Sequence, residues 1–154
     1  MKYGKKGNLE TKDLKELDGF ESTSINPKKV AHQIVKILDI KKSDKVLEVG
    51  CGAGMIAQYL DCDYVGIDYS KSLVRKHIDL FKHSVLVAEA NDIPFKDKYF
   101  DKVFVYSVFH YFPNKEYAED VLQEMKRICK NKIFIGDLSI ISHRKSHLLF
   151  NKND

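Results

Sequence analysis

Two periodicities of apolar residues share this chain. Short runs that are apolar at most positions, residues 45–49, 64–68, 84–88, 100–106 and 132–135, read as buried strands. Between them, apolar residues recur every three or four positions and predict helices. Asn26 and Pro27 form a cap and first-turn pair, and Val30, Ile34, Ile37 and Leu38 then share one face of a helix expected to end near Asp39. Met55, Ile56, Tyr59 and Leu60 predict a short amphipathic helix broken by Asp61. Ser70 caps another, with Leu73, Val74, His77, Ile78 and Phe81 on one face. Asn114 caps the most regular one, where Ala118, Val121, Leu122, Met125, Ile128 and Cys129 recur and Lys130-Asn131-Lys132 supplies positive charge at the closing end.

Strands that are apolar throughout and alternate with helices argue a parallel sheet covered on both faces. Right-handed crossovers make this a doubly wound α/β fold, mostly parallel, with about five recognisable strands. The chain has 154 residues, which suits one domain over residues 26–140. Residues 1–25 are polar and lysine-rich and are expected to form an arm, or a lid over a site. Residues 141–154 are a basic tail; His143 and His147 within it are spaced four apart, but a solvated pair suits that setting better than a metal site.

Composition narrows the function. No apolar run approaches the roughly 18 residues of a membrane span, and the charged N-terminus has no apolar run behind it, so neither a membrane anchor nor a secretory signal is expected. Three cysteines, Cys51, Cys62 and Cys129, are odd in number and far apart, which fits a reducing cytoplasm better than a disulfide framework. A net charge of +4 is too small to argue for nucleic acid.

The candidate chemistry lies at the end of the first strand. Val46-Leu47-Glu48-Val49-Gly50-Cys51-Gly52-Ala53-Gly54 puts three glycines into five residues, unsuited to a strand or helix interior but suited to a loop approached closely by a ligand. In a doubly wound sheet this turn lies where ligands bind. A dinucleotide fingerprint needs G-x-G-x-x-G, and its third glycine position is Met55 here; the third glycine is Gly54. Glu48, two residues before the turn, would sit poorly beside a pyrophosphate and well beside a cation.

These residues resemble the first motif of class I S-adenosylmethionine-dependent methyltransferases of the small-molecule, methyltransferase-11-like type, whose fold is Rossmann-like. Three further segments match in order: Val65-Gly66-Ile67-Asp68-Tyr69-Ser70, Glu89-Ala90-Asn91-Asp92-Ile93-Pro94-Phe95, and Tyr99-Phe100-Asp101-Lys102-Val103 followed by Val108-Phe109-His110-Tyr111. The resemblance spans roughly residues 27–137. It implies that Gly50, Cys51 and Gly52 pack under the methionine part of S-adenosyl-L-methionine and that Glu48 meets its ammonium. Asp68 would take the ribose hydroxyls, for which two carboxylate oxygens are chemically apt, and Tyr69 would lie against the adenine. Glu89 would meet the adenine amino group, with Asn91 as rival and Ala90 contributing backbone. Tyr106 and Ser107 would stand where the methionine end meets the acceptor.

The reaction so implied is methyl transfer to a small-molecule acceptor, leaving S-adenosyl-L-homocysteine. His110, at the open end of the fourth strand, is the candidate catalytic base, against packing beside Tyr111 and Phe112; no metal is expected. The Asn/Asp-Pro-Pro-aromatic segment of enzymes that methylate amino groups of DNA bases or glutamine is replaced by Tyr106-Ser107-Val108-Phe109, so nucleic acid is disfavoured as a partner. The family ends in an antiparallel hairpin, for which the 17 residues after Asp137 are too few. The edge of the fifth strand would then be covered by the tail or by a second copy in a homodimer. Two alternatives stay open: a cofactor-binding domain without its own turnover, as a fragment or partner subunit, and a generic Rossmann-like nucleotide binder.

Overall fold

A computed structural model describes residues 24–138. Five strands form one sheet: β1 (Lys45–Val49), β2 (Asp63–Asp68), β3 (Ser84–Val87), β4 (Phe100–Tyr106) and β5 (Cys129–Gly136). Their order is β3-β2-β1-β4-β5, and every pair is parallel. Helices α1 (Pro27–Leu38), α2 (Lys71–Phe81) and α3 (Lys115–Ile128) cover the faces. This is the doubly wound, Rossmann-like α/β sheet that the apolar pattern predicts. No helix among the described residues is long and apolar enough to cross a membrane.

The strands feed two main cores and a small third one, where Val85 of β3 joins Cys51 and Val74. Leu47, Val49, Ile67, Val103 and Val105 pack with Val121, Met125 and Ile128 of α3. Val46 and Phe104 point the other way and pack with Val30, Ala31, Ile34 and Leu38 of α1. Alternate residues of β1 and β4 therefore serve opposite faces, as the pleat requires. Ile25, the last residue of the expected arm, packs against the second core. The rest of that arm through residue 23, and the basic tail, lie outside the described residues.

Three elements depart from the sequence-based expectation. Residues 55–60 form no α-helix, only a 3-10 turn at Ala57–Tyr59. Six residues between Gly54 and Asp61 are too few to offset helix nucleation. Strand β5 starts at Cys129 rather than 132: Cys129 is already extended (φ −92°, ψ 133°) while its N–H still bonds the Met125 carbonyl, so helix passes to strand with no connecting loop. The register slips by one residue beside it, between Phe100 and Lys102 of β4. Finally, Leu86 and Val87 of β3 are 43% and 46% exposed, and Ile37 of α1 is 56% exposed. Strand β3 is an outer strand among the described residues, and its apolar composition overstated its burial.

Candidate functional site

The order β3-β2-β1-β4-β5 reverses direction between β1 and β4, and crevices open at the carboxyl ends of strands at such a point. A cavity of about 580 Å³ lies there. Of the eleven cofactor-binding residues expected from sequence, ten line it: Glu48, Gly50, Cys51, Gly52, Asp68, Tyr69, Glu89, Ala90, Tyr106 and Ser107. Asn91 is half-buried and is not in the wall. Neither is His110: its exposed ring leans on Tyr111, with centroids 4.1 Å apart, and Tyr111 is the residue that reaches the wall. Its place outside the wall gives His110 no support as the base.

The floor is the glycine turn. Gly50, Gly52 and Gly54 all adopt positive φ (+73°, +51° and +95°). The N–H groups of Gly50 and Cys51 both donate to the Ile67 carbonyl, at 2.8 and 3.0 Å, and tie the turn to the end of β2. A Cβ on Gly50 would lie 2.5 Å from Val108 Cγ2, and one on Gly54 would lie 2.8 Å from His77 Nε2. Glycine is thus required at both for conformation and for space. Cys51 is buried, as a small residue in that turn should be, and its Sγ fills the space that a side chain on Gly66 would need.

Two buried carboxylates flank the floor. Asp68 accepts the Gly52 N–H through Oδ2 and the Ser70 N–H through Oδ1, both at 2.9 Å. Each oxygen keeps a second lone pair, so Asp68 can shape the turn and still receive a donor from the cavity. Glu48 is 3% exposed and accepts the Tyr64 hydroxyl at 2.6 Å. Gly66 pairs directly with Glu48 across the sheet, and its missing side chain is what lets the Tyr64 hydroxyl pass. Burial and the facing Glu48 charge hold the Tyr64 pKa well above the usual tyrosine range, so it remains a donor.

Beneath the turn, His77 is fully buried and does not reach the cavity. Its Nδ1 lies 3.2 Å from the Gly52 carbonyl and its Nε2 lies 2.9 Å from His83 Nδ1. Burial and then the neighbouring His83 lower the His77 pKa to about 4. A neutral His77 that donates from Nδ1 to Gly52 accepts at Nε2 from His83. The apolar-face histidine of α2 is therefore a prop for the glycine turn.

The opposite wall is aromatic. Tyr106 ends β4, and Ser107 follows in the left-handed region (φ +58°), held by its N–H to the Gly136 carbonyl at 3.1 Å. The chain then makes a 3-10 turn at Phe109–Tyr111 before α3 begins. Tyr111, Phe112 and Pro113 join the wall from this stretch, and Tyr117 joins it from the first turn of α3. None of the four was singled out as a site residue from sequence. Their only signal was an aromatic run before a helix cap, which ordinary packing also produces.

The sequence profile of the methyltransferase domain family matches residues 47–135, more than half of the chain. The chain belongs to that family. Membership implies S-adenosylmethionine as the cofactor. Among curated relatives, the uncharacterised protein MJ1123 of Methanocaldococcus jannaschii is 33% identical over 92 residues, covering 58% of this chain and 42% of that protein. Phosphoethanolamine N-methyltransferase 3 of Arabidopsis thaliana is 34% identical over 96 residues, covering 56% of this chain and 19% of that protein. A solved structure of a putative S-adenosyl-L-methionine-dependent methyltransferase from Methanococcus maripaludis superimposes with a TM-score of 0.67 at 20% identity, over 97% of this chain and 76% of its own. The chain thus spans less than half the length of these two curated relatives.

The residues present fit that cofactor. Among the described residues, the cavity wall holds three carboxylates (Glu48, Asp68 and Glu89) and no lysine, arginine or histidine. Such a wall favours a ligand with ammonium and sulfonium charges and opposes a pyrophosphate.

Proposed function

We propose that this chain binds S-adenosylmethionine in the cavity at the β1–β4 crevice and transfers a methyl group from it to a small-molecule acceptor. The observation that carries this reading is a wall whose only charged groups among the described residues are three carboxylates, Glu48, Asp68 and Glu89, around a floor that includes Gly50 and Gly52. Glu48 would hold the ammonium, Asp68 the ribose diol, and Glu89 the adenine edge. The cavity volume falls in the roughly 300–1,000 Å³ range of small-molecule sites, which suits the cofactor.

When bound, S-adenosylmethionine supplies an electrophilic methyl on a sulfonium. The chain's own contribution is positioning and exclusion of water. The glycine turn, clamped to Ile67 and Asp68, fixes the floor without needing to move. Tyr106 and Ser107 stand between this floor and the aromatic wall, where an acceptor would meet the methyl group. Burial and the nearby Asp137 charge raise the Tyr106 pKa, which suits it to donate or orient rather than to take a proton. Three free thiols, two of them buried, fit a reducing compartment such as the cytoplasm.

A second reading, a cofactor-binding unit without turnover of its own, is favoured by one fact: the chain spans 42% of MJ1123 and less of the Arabidopsis enzyme. Calorimetry with S-adenosylmethionine, S-adenosylhomocysteine and NAD tests what both readings share. Binding of the first two and not NAD is expected; NAD binding alone would overturn both. Transfer of labelled methyl from cofactor to a metabolite extract then separates them, and its absence would leave only the binding unit.

A further inference from the structure

Glu89 is an exposed side chain on a turn-rich link after β3, a poor setting for a group that must select one ligand edge. A free glutamate there would spread over several rotamers. Its carboxylate is nevertheless fixed. Tyr117 donates its hydroxyl to Glu89 Oε2 at 2.7 Å across 28 residues of sequence.

Tyr117 is itself held at two points and keeps its proton. Its backbone N–H donates to Asn114 Oδ1 at 2.8 Å, the side-chain cap of α3. Its ring packs on Phe112, centroids 5.0 Å apart. Its hydroxyl stays protonated to about pH 12, because burial and the Glu89 charge outweigh the opposing backbone amides of Ala90 and Asn91. The rigid first turn of a 14-residue helix therefore reaches over to the mobile end of a glutamate. One of the four lone-pair sites of that carboxylate is used, and Oε1 remains for a donor in the cavity.

We propose that Tyr117 is a specificity-determining positioning residue, which aims the Glu89 carboxylate at the exocyclic amino edge of the cofactor base and so selects adenosyl over inosyl ligands. This rests on the reading that the cavity holds an S-adenosyl cofactor with its adenine at Glu89. A carboxylate accepts from the two hydrogens of an adenine amino group. Hypoxanthine presents a carbonyl oxygen at the same place, and two acceptors facing each other repel. The discrimination needs Oε1 held in place, since a swinging carboxylate can turn away from the wrong base.

The test is the ratio of dissociation constants for S-inosylhomocysteine and S-adenosylhomocysteine, measured by calorimetry on the 154-residue chain, on Tyr117→Phe and on Glu89→Ala. The wild type is expected to prefer the adenosyl ligand by about tenfold or more, the scale of one hydrogen bond to a charged group. Tyr117→Phe keeps the ring and its Phe112 contact. It should bring the ratio down severalfold, mainly through weaker adenosyl binding, and adding it to Glu89→Ala should not change the ratio further. Equal weakening of both ligands would mean a structural role only and would overturn the proposal, as would an unchanged ratio with the melting temperature preserved. Wild-type chain that binds neither ligand would instead defeat the cofactor reading itself, and the proposal with it.

Discussion

The two ends of the cavity are built in different ways. At the glycine end, backbone does the work. Gly50 and Cys51 donate to one carbonyl of β2, Gly52 donates to Asp68, and three residues sit at positive φ. At the aromatic end, side chains do it. Phe109 and Phe112 lie 4.9 Å apart, Phe112 and Tyr117 lie 5.0 Å apart, and Tyr111 is 67% exposed. A backbone cradle accepts few residue types at each position; a wall of rings accepts many. The first arrangement suits a fixed cofactor; the second, apart from the Tyr117 bond to Glu89, suits a ligand whose shape differs between members of one fold.

The largest expected effect comes from adding one methyl group to the cradle. Gly50→Ala meets both a left-handed φ of +73° and Val108 Cγ2 at 2.5 Å. It should cost about 2–5 kcal/mol, combining left-handed strain with overpacking, and should abolish S-adenosylhomocysteine binding. Adding Val108→Ala should return the steric part but not the strain. A Gly50→Ala chain as stable as wild type in urea would break the contrast between the two ends at once.

Next in size is an acid-dependent loss from the prop under the cradle. His77 takes its proton near pH 4 when folded and near 6.5 when unfolded. Between those values the unfolded chain holds more protons, so the stabilisation is complete above pH 6.5 and is lost as pH falls toward 4. The loss should reach about 2 kcal/mol by pH 5. Burial lowers the His83 pKa as well, so His83 adds to it with the same sign. The lowered carboxylates Asp101 and Glu124 act mainly below this window, since their ordinary values are 3.8 and 4.5. Urea midpoints at pH 7 and pH 5 should show the loss, and His77→Gln should flatten most of it; an equal slope in that variant would assign the effect elsewhere.

The same contrast explains what the sequence revealed. The glycine end was legible residue by residue, because positive φ and close approach leave glycine as the residue of choice, and a strand-end carboxylate has few other reasons to be there. Gly50, Gly52, Glu48 and Asp68 lie in the wall for that reason, and the other six of the ten expected residues found there were reached only through the motifs' resemblance to the family. The exception, Asn91, sits on a turn two residues beyond Glu89, where the chain's direction cannot be read from residue type. His110 failed similarly: in the 3-10 turn Phe109–Tyr111, neighbouring side chains point in quite different directions, and Tyr111 faces the cavity instead. The Tyr64–Glu48 bond and the His77–His83 pair were invisible because each joins separate elements. Only the interior Gly66 hinted that something crosses β2.

A milder perturbation reaches the cradle from its flank. Tyr64→Phe removes the donor to Glu48 while keeping the ring, and should cost about 1 kcal/mol of stability, the net value of one hydrogen bond. Glu48 would then be less firmly aimed, so S-adenosylhomocysteine binding should weaken with it. Unchanged affinity would show that the rest of Glu48's surroundings orient it without Tyr64.

The smallest stability effect belongs to the other end. Tyr111→Ala removes a ring that is mostly in solvent and that leans on the exposed His110. Its cost should stay within about 0.5 kcal/mol, the range for surface substitutions, and S-adenosylhomocysteine affinity should hardly change. On the proposed reading, methyl transfer to an acceptor should nevertheless fall, because Tyr111 would stand in the part of the cavity left to the acceptor. If cofactor affinity fell together with turnover, Tyr111 would belong to the cofactor site as Tyr117 does through Glu89, and the ring-built end would lose its separate acceptor part.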